Sequence, residues 1–117
     1  MKKKYLTLSL LLAVSVSSWA QQPAIGNGTV KGKVSEKSTK NAVGFASVAI
    51  SANGQIISGD LTDEDGSFTI SNLPNTQIEV SVEYIGFKTY KNTIDLSTEK
   101  TIDLGTISLE VDEEILD

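Results

Sequence analysis

The stretch Gln77-Ile-Glu-Val-Ser-Val-Glu-Tyr84 decides the fold class, because apolar and polar residues alternate along it with a period of two. Successive side chains of a strand point to opposite faces, so this pattern predicts a strand with one buried and one solvent-facing side. Shorter runs with the same period occur from Val30 to Val34 and from Ala46 to Ile50. Beyond residue 20 no segment keeps a helical period, which favours an all-β domain.

Turn residues separate these runs. Asn53-Gly54 is a pair that tight hairpins favour, because both residues accept a positive φ, and Asp63-Glu-Asp-Gly66 offers a second reversal. Further turns are predicted at 72–75 and at Gly86. The strands expected between them are 29–35, 44–51, 55–61, 67–71, 77–85, 87–94 and 101–109. Seven short, mostly antiparallel strands predict a small β-sandwich, and the change of alternation at Gly105 predicts a bulge in the last strand.

The few large apolar side chains are needed inside so small a sandwich. Three aromatic side chains are therefore predicted to enter the core: Phe68, Tyr84 and Phe87. Tyr90 is the tyrosine expected to be exposed. Strand 29–35 is expected at a sheet edge, where Lys31 and Lys33 would discourage pairing with another chain. Strand 101–109 is expected to be a less protected edge, open to partner contact by strand addition.

The amino terminus is typical of a secretory signal peptide, with Lys2-Lys3-Lys4, an apolar run from Leu6 to Val16, and then Ser18-Trp-Ala20. The apolar run is well short of the ~20 residues that a membrane-spanning helix needs. Residues 1–20 are therefore predicted to be a signal peptide that is cleaved after Ala20, and export is expected. Residues 21–27 are small and polar and are predicted to be a flexible lead-in.

Composition excludes several classes of chemistry. The 117 residues contain no His, no Cys and no Arg, so a Ser-His dyad, a thiolate nucleophile, a zinc site of the usual ligands and disulfides are excluded. The formal net charge is -5, and it becomes -8 once three lysines leave with the signal peptide. That charge disfavours binding to nucleic acids or anionic lipids. No cofactor and no enzymatic activity are expected.

Acidic residues are concentrated in one turn and one tail. Asp63 and Asp65, followed by Gly66, do not fit an EF-hand loop that starts at Asp60 or at Asp63, so a plain turn is expected, with a weak two-carboxylate calcium site as the alternative. Nothing around this turn is expected to raise the pKa of one carboxyl above the other, as a general acid requires, so catalysis there is not expected. Residues 111–117 are predicted to be an acidic, solvated linker or tail.

Several segments in this order resemble the carboxypeptidase regulatory-like domain. They are Val30–Val34, Gly44–Ile50, Ser58–Phe68, Leu73-Pro74 and Val82–Lys88, and the resemblance covers about residues 28–110. It implies a transthyretin-like (prealbumin-like), seven-stranded β-sandwich. The positions that carry the family motif are Asp63, Gly66, Phe68, Tyr84 and Gly86. Two enzyme relatives are excluded as activities of this chain, because hydroxyisourate hydrolases rely on His and Arg and metallocarboxypeptidases rely on a separate zinc domain.

The resemblance also implies a setting. Similar domains directly behind a signal peptide commonly form the N-terminal extension of TonB-dependent outer-membrane receptors in Bacteroidetes-type bacteria, and the ending Leu109–Asp117 is similar to the linker towards plug and barrel. We therefore expect a non-enzymatic periplasmic accessory module of a receptor for nutrient uptake. Its expected partner is the barrel or plug portion of that receptor or another periplasmic protein, and any membrane association would be through the barrel. The alternative is a stand-alone secreted module for adhesion or for binding glycans or calcium.

Overall fold

Seven strands follow one another along residues 26–114, the part of the chain that the computed structural model describes. They are β1 Gly28–Glu36, β2 Ser47–Ala52, β3 Gln55–Leu61, β4 Ser67–Leu73, β5 Gln77–Glu83, β6 Tyr90–Asp95 and β7 Thr101–Leu109. The predicted signal peptide lies outside the described residues, as do positions 21–25 and 115–117. Nothing in the described segment is a helix able to cross a membrane.

Two sheets form the sandwich. One sheet has three strands in the order β4-β1-β7, and the other has four in the order β3-β2-β5-β6. All pairs are antiparallel except β1 with β7, which is parallel. The predicted seven-stranded β-sandwich is therefore confirmed.

Alternating side chains from both sheets form one core. Ile78, Val80 and Val82 are buried in β5, as their period of two predicts, and Phe68 is buried in β4. The whole core consists of Val30, Val34, Val43, Ala46, Val48, Ile50, Phe68, Ile70, Leu73, Ile78, Val80, Val82, Leu96, Ile107 and Leu109. Most of these residues are β-branched or leucine, which pack well on a pleated surface.

The bulge predicted at Gly105 is confirmed. Between Lys31 and Lys33, β1 advances by two residues while β7 advances by three, from Asp103 to Thr106. Gly105 takes φ +70°, and its N–H donates to the Asp103 carboxylate at 2.8 Å. The extra residue restores the inward direction of the residues after it, beginning with buried Ile107.

The prediction that the first strand is a sheet edge was wrong. β1 lies in the middle of its sheet, between β4 and β7. Lys31 and Lys33 are exposed because they lie on the outer face of that sheet, opposite Thr69 and Ser67 on β4. β7 is an edge, as expected.

Two tyrosine predictions were also wrong. Tyr84 is 37% exposed, because β5 ends at Glu83 and the alternation that would carry Tyr84 inward ends with it. Tyr90 opens β6 opposite buried Val82, so it faces inward and packs against the core. Phe87 is only partly buried and lies in the turn before β6, not in a strand.

The sandwich has two distinct ends. At the Gly28 end lie the first described residues, together with the turns at 53–54, 74–76 and 96–100. The backbone N–H of Asn27 donates to the Asn75 side chain there at 3.2 Å, so the last residue of the predicted lead-in is held in place. At the Phe45 end lie residues 37–46, 62–66, 84–89 and 110–114. The described chain therefore enters at one end and leaves at the other.

Candidate functional site

The acidic turn at Asp63–Gly66 joins β3 to β4 at the Phe45 end. The carbonyl of Asp63 accepts from the Gly66 N–H at 3.0 Å, and the carboxylates of Asp63 and Asp65 both accept from the Ser67 N–H, at 3.0 and 3.1 Å. Gly66 has φ +84°, and a Cβ there would collide with the carbonyl oxygen of Val34. The turn therefore requires glycine at 66 and uses its two aspartates to satisfy the backbone.

The same contacts affect ionisation. A side-chain hydrogen bond with Asp63 is the main cause that lowers the pKa of Asp65, followed by the hydroxyl and the N–H of Ser67 and by the positive charge of Lys33. A general acid needs a raised pKa, so Asp65 is unsuited to that role. That the turn is not catalytic stays a prediction.

The turn offers little to a metal ion. Among residues 26–114, no group of three or more acidic side chains is placed to hold one. Calcium takes six to eight oxygen ligands, and here Asp63 and Asp65 already accept from a backbone N–H. The plain turn stays the prediction and the weak two-carboxylate calcium site its alternative, and a titration can decide between them.

The more distinctive surface is an apolar patch at the Phe45 end. Ser47 pairs with Leu61 on one side and with Glu83 on the other, which brings β3, β2 and β5 together there. Four large side chains around this row are exposed to solvent: Phe45 by 61%, Leu61 by 55%, Tyr84 by 37% and Ile85 by 87%. We call these four residues the apolar patch. Clustered exposed apolar groups of this kind mark interaction sites more often than single ones do.

Phe45 is held outward by a strained backbone. Its φ is +62°, a left-handed conformation that costs a residue with a Cβ about 1 kcal/mol or more. Its N–H donates to the Thr62 carbonyl at 2.9 Å. This bond fixes the backbone of Phe45 just before β2. Strain of this kind persists only where the surroundings impose it, and it is concentrated at functional sites.

Thr62 imposes that conformation. It is 1% exposed, and its hydroxyl donates to the Val43 carbonyl at 2.8 Å while accepting from the Ala46 N–H at 2.8 Å. The Thr62 N–H also donates to the Ala46 carbonyl at 2.9 Å. With the bond from Phe45, four hydrogen bonds tie residues 43–46 to one buried threonine, which we call the Thr62 clamp.

The turn at Gly86 supports the other half of the patch. The Phe87 N–H donates to the Tyr84 carbonyl at 3.1 Å, and Gly86 has φ +89°. The rings of Tyr84 and Phe87 lie 6.0 Å apart between centroids, tilted by 42°. Ile85 is left at the tip of the turn. Gly86 therefore reverses the chain as predicted, while Tyr84 serves the surface rather than the core.

Residues 110–112 are exposed or half-buried and form hydrogen bonds with this turn. The Lys88 N–H donates to the Glu110 carbonyl at 2.8 Å, and the Asp112 N–H donates to the Gly86 carbonyl at 2.9 Å. The Glu110 carboxylate lies 3.3 Å from Lys37 and 3.9 Å from Lys88. Residues 110–112 therefore place acidic side chains beside the Gly86 turn, which carries Tyr84 and Ile85 of the apolar patch.

Sequence reasoning found the motif positions and missed most of the patch. Phe45, Leu61 and Ile85 were not singled out, and Thr62 entered only within the segment Ser58–Phe68. Leu61 pairs with exposed Ser47, so a correct pairing of β2 with β3 would have placed it on the outer face. No local sequence pattern predicts the positive φ of Phe45.

The strand order and the parallel β1–β7 pair define the class of protein, a transthyretin-like β-sandwich. The chain belongs to the CarboxypepD_reg-like domain family, which it matches over residues 30–116. The resemblance found in the sequence is thereby confirmed. No curated protein matches the chain.

Solved structures with the same fold come from several kinds of protein. The major pilin subunit BcpA of Bacillus cereus has a TM-score of 0.60 at 16% identity, over 74% of this chain and 31% of that one. The group B streptococcus pilus 2b backbone protein has a TM-score of 0.56 at 16% identity, over 78% and 43%. The 5-hydroxyisourate hydrolase of Klebsiella pneumoniae has a TM-score of 0.56 at 17% identity, over 69% and 90%. The chain spans under half the length of these two pilus proteins, and at such identities the likeness shows the fold alone.

Proposed function

We propose that this domain is a non-enzymatic interaction module, exported to the periplasm, that forms the N-terminal extension of a TonB-dependent outer-membrane receptor for nutrient uptake. The observation that carries the proposal is the apolar patch at the end where the chain leaves the sandwich. The patch is the surface that docks on the plug or barrel portion of the receptor, or on a periplasmic protein that acts with it.

The position of the chain supports this assignment. The described residues begin at the Gly28 end and reach Glu114 at the Phe45 end, where the Asp112 N–H donates to the carbonyl of Gly86, the residue after Ile85 in the patch. A partner joined there would meet the patch at high effective concentration and would need only modest intrinsic affinity. The signal peptide predicted at residues 1–20 supports export.

The surroundings of the patch indicate the chemistry of the partner. Glu83 adjoins it on β5, the Gly44 backbone packs against the acidic turn, and Asp112 to Glu114 lie on the side where the chain leaves. Of the three lysines in the segments at this end, Lys37 and Lys88 lie within 4 Å of Glu110, and exposed Lys40 is outnumbered by the acidic residues. The partner surface therefore has an apolar centre and a basic rim.

Two features support the absence of enzymatic activity. The chain contains no His, Cys or Arg, and the pKa of Asp65 is lowered where acid catalysis would need it raised. The aspartates of the acidic turn are engaged with the backbone of Ser67. We therefore assign the domain a role in binding through the apolar patch and no role in catalysis.

Site-specific photocrosslinking in the bacterium that encodes the chain tests the proposal. A benzophenone amino acid replaces Ile85 in the patch or, as the matched control, Ile56, which is 73% exposed but lies on β3 near the Gly28 end. We expect a crosslink from position 85, and none from position 56, to an outer-membrane barrel protein identified by mass spectrometry. Where the domain and the barrel share one chain, the crosslink joins two peptides of that chain.

Other outcomes contradict the proposal. Equal crosslinking from both positions would mean that the patch has no special role. A partner found only in the culture medium would favour the stand-alone secreted module. Fractionation of the same cells supplies a second check, since recovery of the chain in the cytoplasm would exclude the periplasmic role.

A further inference from the structure

Open sheets leave edges, and the four edge strands of this sandwich are not alike. They are β4 and β7 in one sheet and β3 and β6 in the other. Three of them are irregular, because the pairing register shifts along β3 against β2, along β4 against β1 and along β7 against β1. Such irregularities twist an edge and hinder the addition of another strand.

β6 is the exception among the strands that the structure describes. It pairs with β5 without interruption, from Tyr90 opposite Val82 to Asp95 opposite Gln77. None of its residues has a positive φ and none is proline. The outer edge of β6 is therefore a regular row of backbone donors and acceptors, which is the kind of edge that strand addition uses.

The side chains of β6 carry a pattern that is complementary to itself. Lys91, Thr93 and Asp95 are all exposed and share the outer face of the sheet, since they pair with Ser81, Glu79 and Gln77. Thr93 lies midway between the two charges. When a second β6 strand runs antiparallel with Thr93 opposite Thr93, each Lys91 faces an Asp95. Opposite charges directly across an antiparallel pair stabilise it, and like charges destabilise it.

Both charges are free to make that contact. Within residues 26–114 no carboxylate lies within 4 Å of the Lys91 ammonium, since the two ion pairs found there use other lysines. The Asp95 carboxylate accepts from the N–H and hydroxyl of Ser97 through Oδ1, at 2.9 and 2.6 Å. Among the residues that the structure describes, none donates a hydrogen bond to Oδ2, so this oxygen is available to a lysine.

We propose that a second copy of this chain adds to the edge of β6, with the two β6 strands antiparallel and Thr93 opposite Thr93. The contact joins two four-stranded sheets into one of eight strands across a two-fold axis. It lies on the β6 side of the molecule and does not require the apolar patch. A short edge without a large apolar area gives a weak dimer, formed at high local concentration and favoured at low salt.

Charge exchange tests this arrangement. Sedimentation equilibrium of the exported chain, from about 10 μM to about 1 mM, measures the dimer dissociation constant for wild type, Lys91→Glu, Asp95→Lys and the double exchange Lys91→Asp/Asp95→Lys. Each single variant places like charges opposite each other twice, so we expect its dissociation constant to rise about tenfold. The double exchange restores two opposite-charge pairs, and we expect it to return to near the wild-type value.

Two controls keep the test decisive. Lys31→Glu makes the same change of charge on the outer face of the other sheet, and we expect it to leave dimerisation unchanged. Because the Asp95 carboxylate also stabilises the Ser97 turn, the urea midpoint of each Asp95 variant is measured beside its dimer dissociation constant. If the Asp95 variants do not fold, Lys91→Glu alone decides the test. A wild type that is monomeric at about 1 mM, a Lys91→Glu variant that associates like wild type, or a double exchange no better than the single variants overturns the proposal.

Discussion

The Thr62 clamp allows a prediction that can be worked from the structure. Thr62→Val keeps the size and shape of the side chain but removes the hydroxyl, which leaves the Ala46 N–H and the Val43 carbonyl without the partner they have at 2.8 Å. Each buried polar group left unpaired costs about 1–3 kcal/mol. Since Thr62 is 1% exposed, water does not replace the hydroxyl without opening the loop. With two such groups, we expect Thr62→Val to lower the free energy of unfolding by about 2–6 kcal/mol.

Thr62→Ser is the matched variant. It keeps both hydrogen bonds of the hydroxyl and loses only one methyl group, which costs about 1 kcal/mol. Urea unfolding, followed by circular dichroism, compares the two. With a urea dependence of about 1.5 kcal/mol per molar, the midpoint of Thr62→Val should fall by about 1.3–4 M and that of Thr62→Ser by about 0.7 M. If Thr62→Val proved as stable as Thr62→Ser, the hydroxyl would not be what holds residues 43–46, and the account of Phe45 would fail.

Three further outcomes are expected. Gly66→Ala should lower the free energy of unfolding by at least about 3 kcal/mol, because the alanine is strained by the positive φ and its methyl group also collides with the β1 backbone. Gly86→Ala has the same strain but open space around the methyl group, so it should lower that free energy by only about 1–2 kcal/mol in the same urea assay. Hydrogen bonds lower the pKa values of Asp65 and Asp95 below 3.8, so their contribution to stability is present above that pH and lost as the pH falls through the folded values. The urea midpoint of wild type should therefore fall more steeply between about pH 5 and about pH 2 than that of a double Asp→Asn variant, and equal slopes would contradict this origin. Calorimetric titration with calcium should give no heat, and heat that disappears when Asp63 is changed to Asn would restore the calcium site.

The fold could be predicted because it depends on short-range patterns. The period of two in β5 and the turn pairs at Asn53-Gly54 and Asp63–Gly66 all keep their predicted roles in the structure. The bulge at Gly105 was visible as a change of alternation. Each of these features involves residues within a few positions of one another, so a local pattern is sufficient to indicate it.

The candidate site was harder to predict. Tyr84 shows why, since the period of two was extended one residue past Glu83, where β5 ends and the turn begins. Tyr90 shows the opposite error, because its inward direction follows from pairing with Val82 on a neighbouring strand. Phe45 combines both difficulties, since its exposure depends on a clamp from Thr62, which lies 17 residues further along the chain.

The sequence by itself determined the all-β class, most of the turns, the family and the absence of His, Cys and Arg chemistry, because composition and local period carry that information. Only the tertiary structure decided which strands are edges, that Lys31 and Lys33 lie on a central strand, and that the apolar patch adjoins the point where the chain leaves. The physical reason is that strand order is set by packing two sheets over one core. That packing brings together β1, β4 and β7, which are far apart in the chain, and no local pattern records their contact.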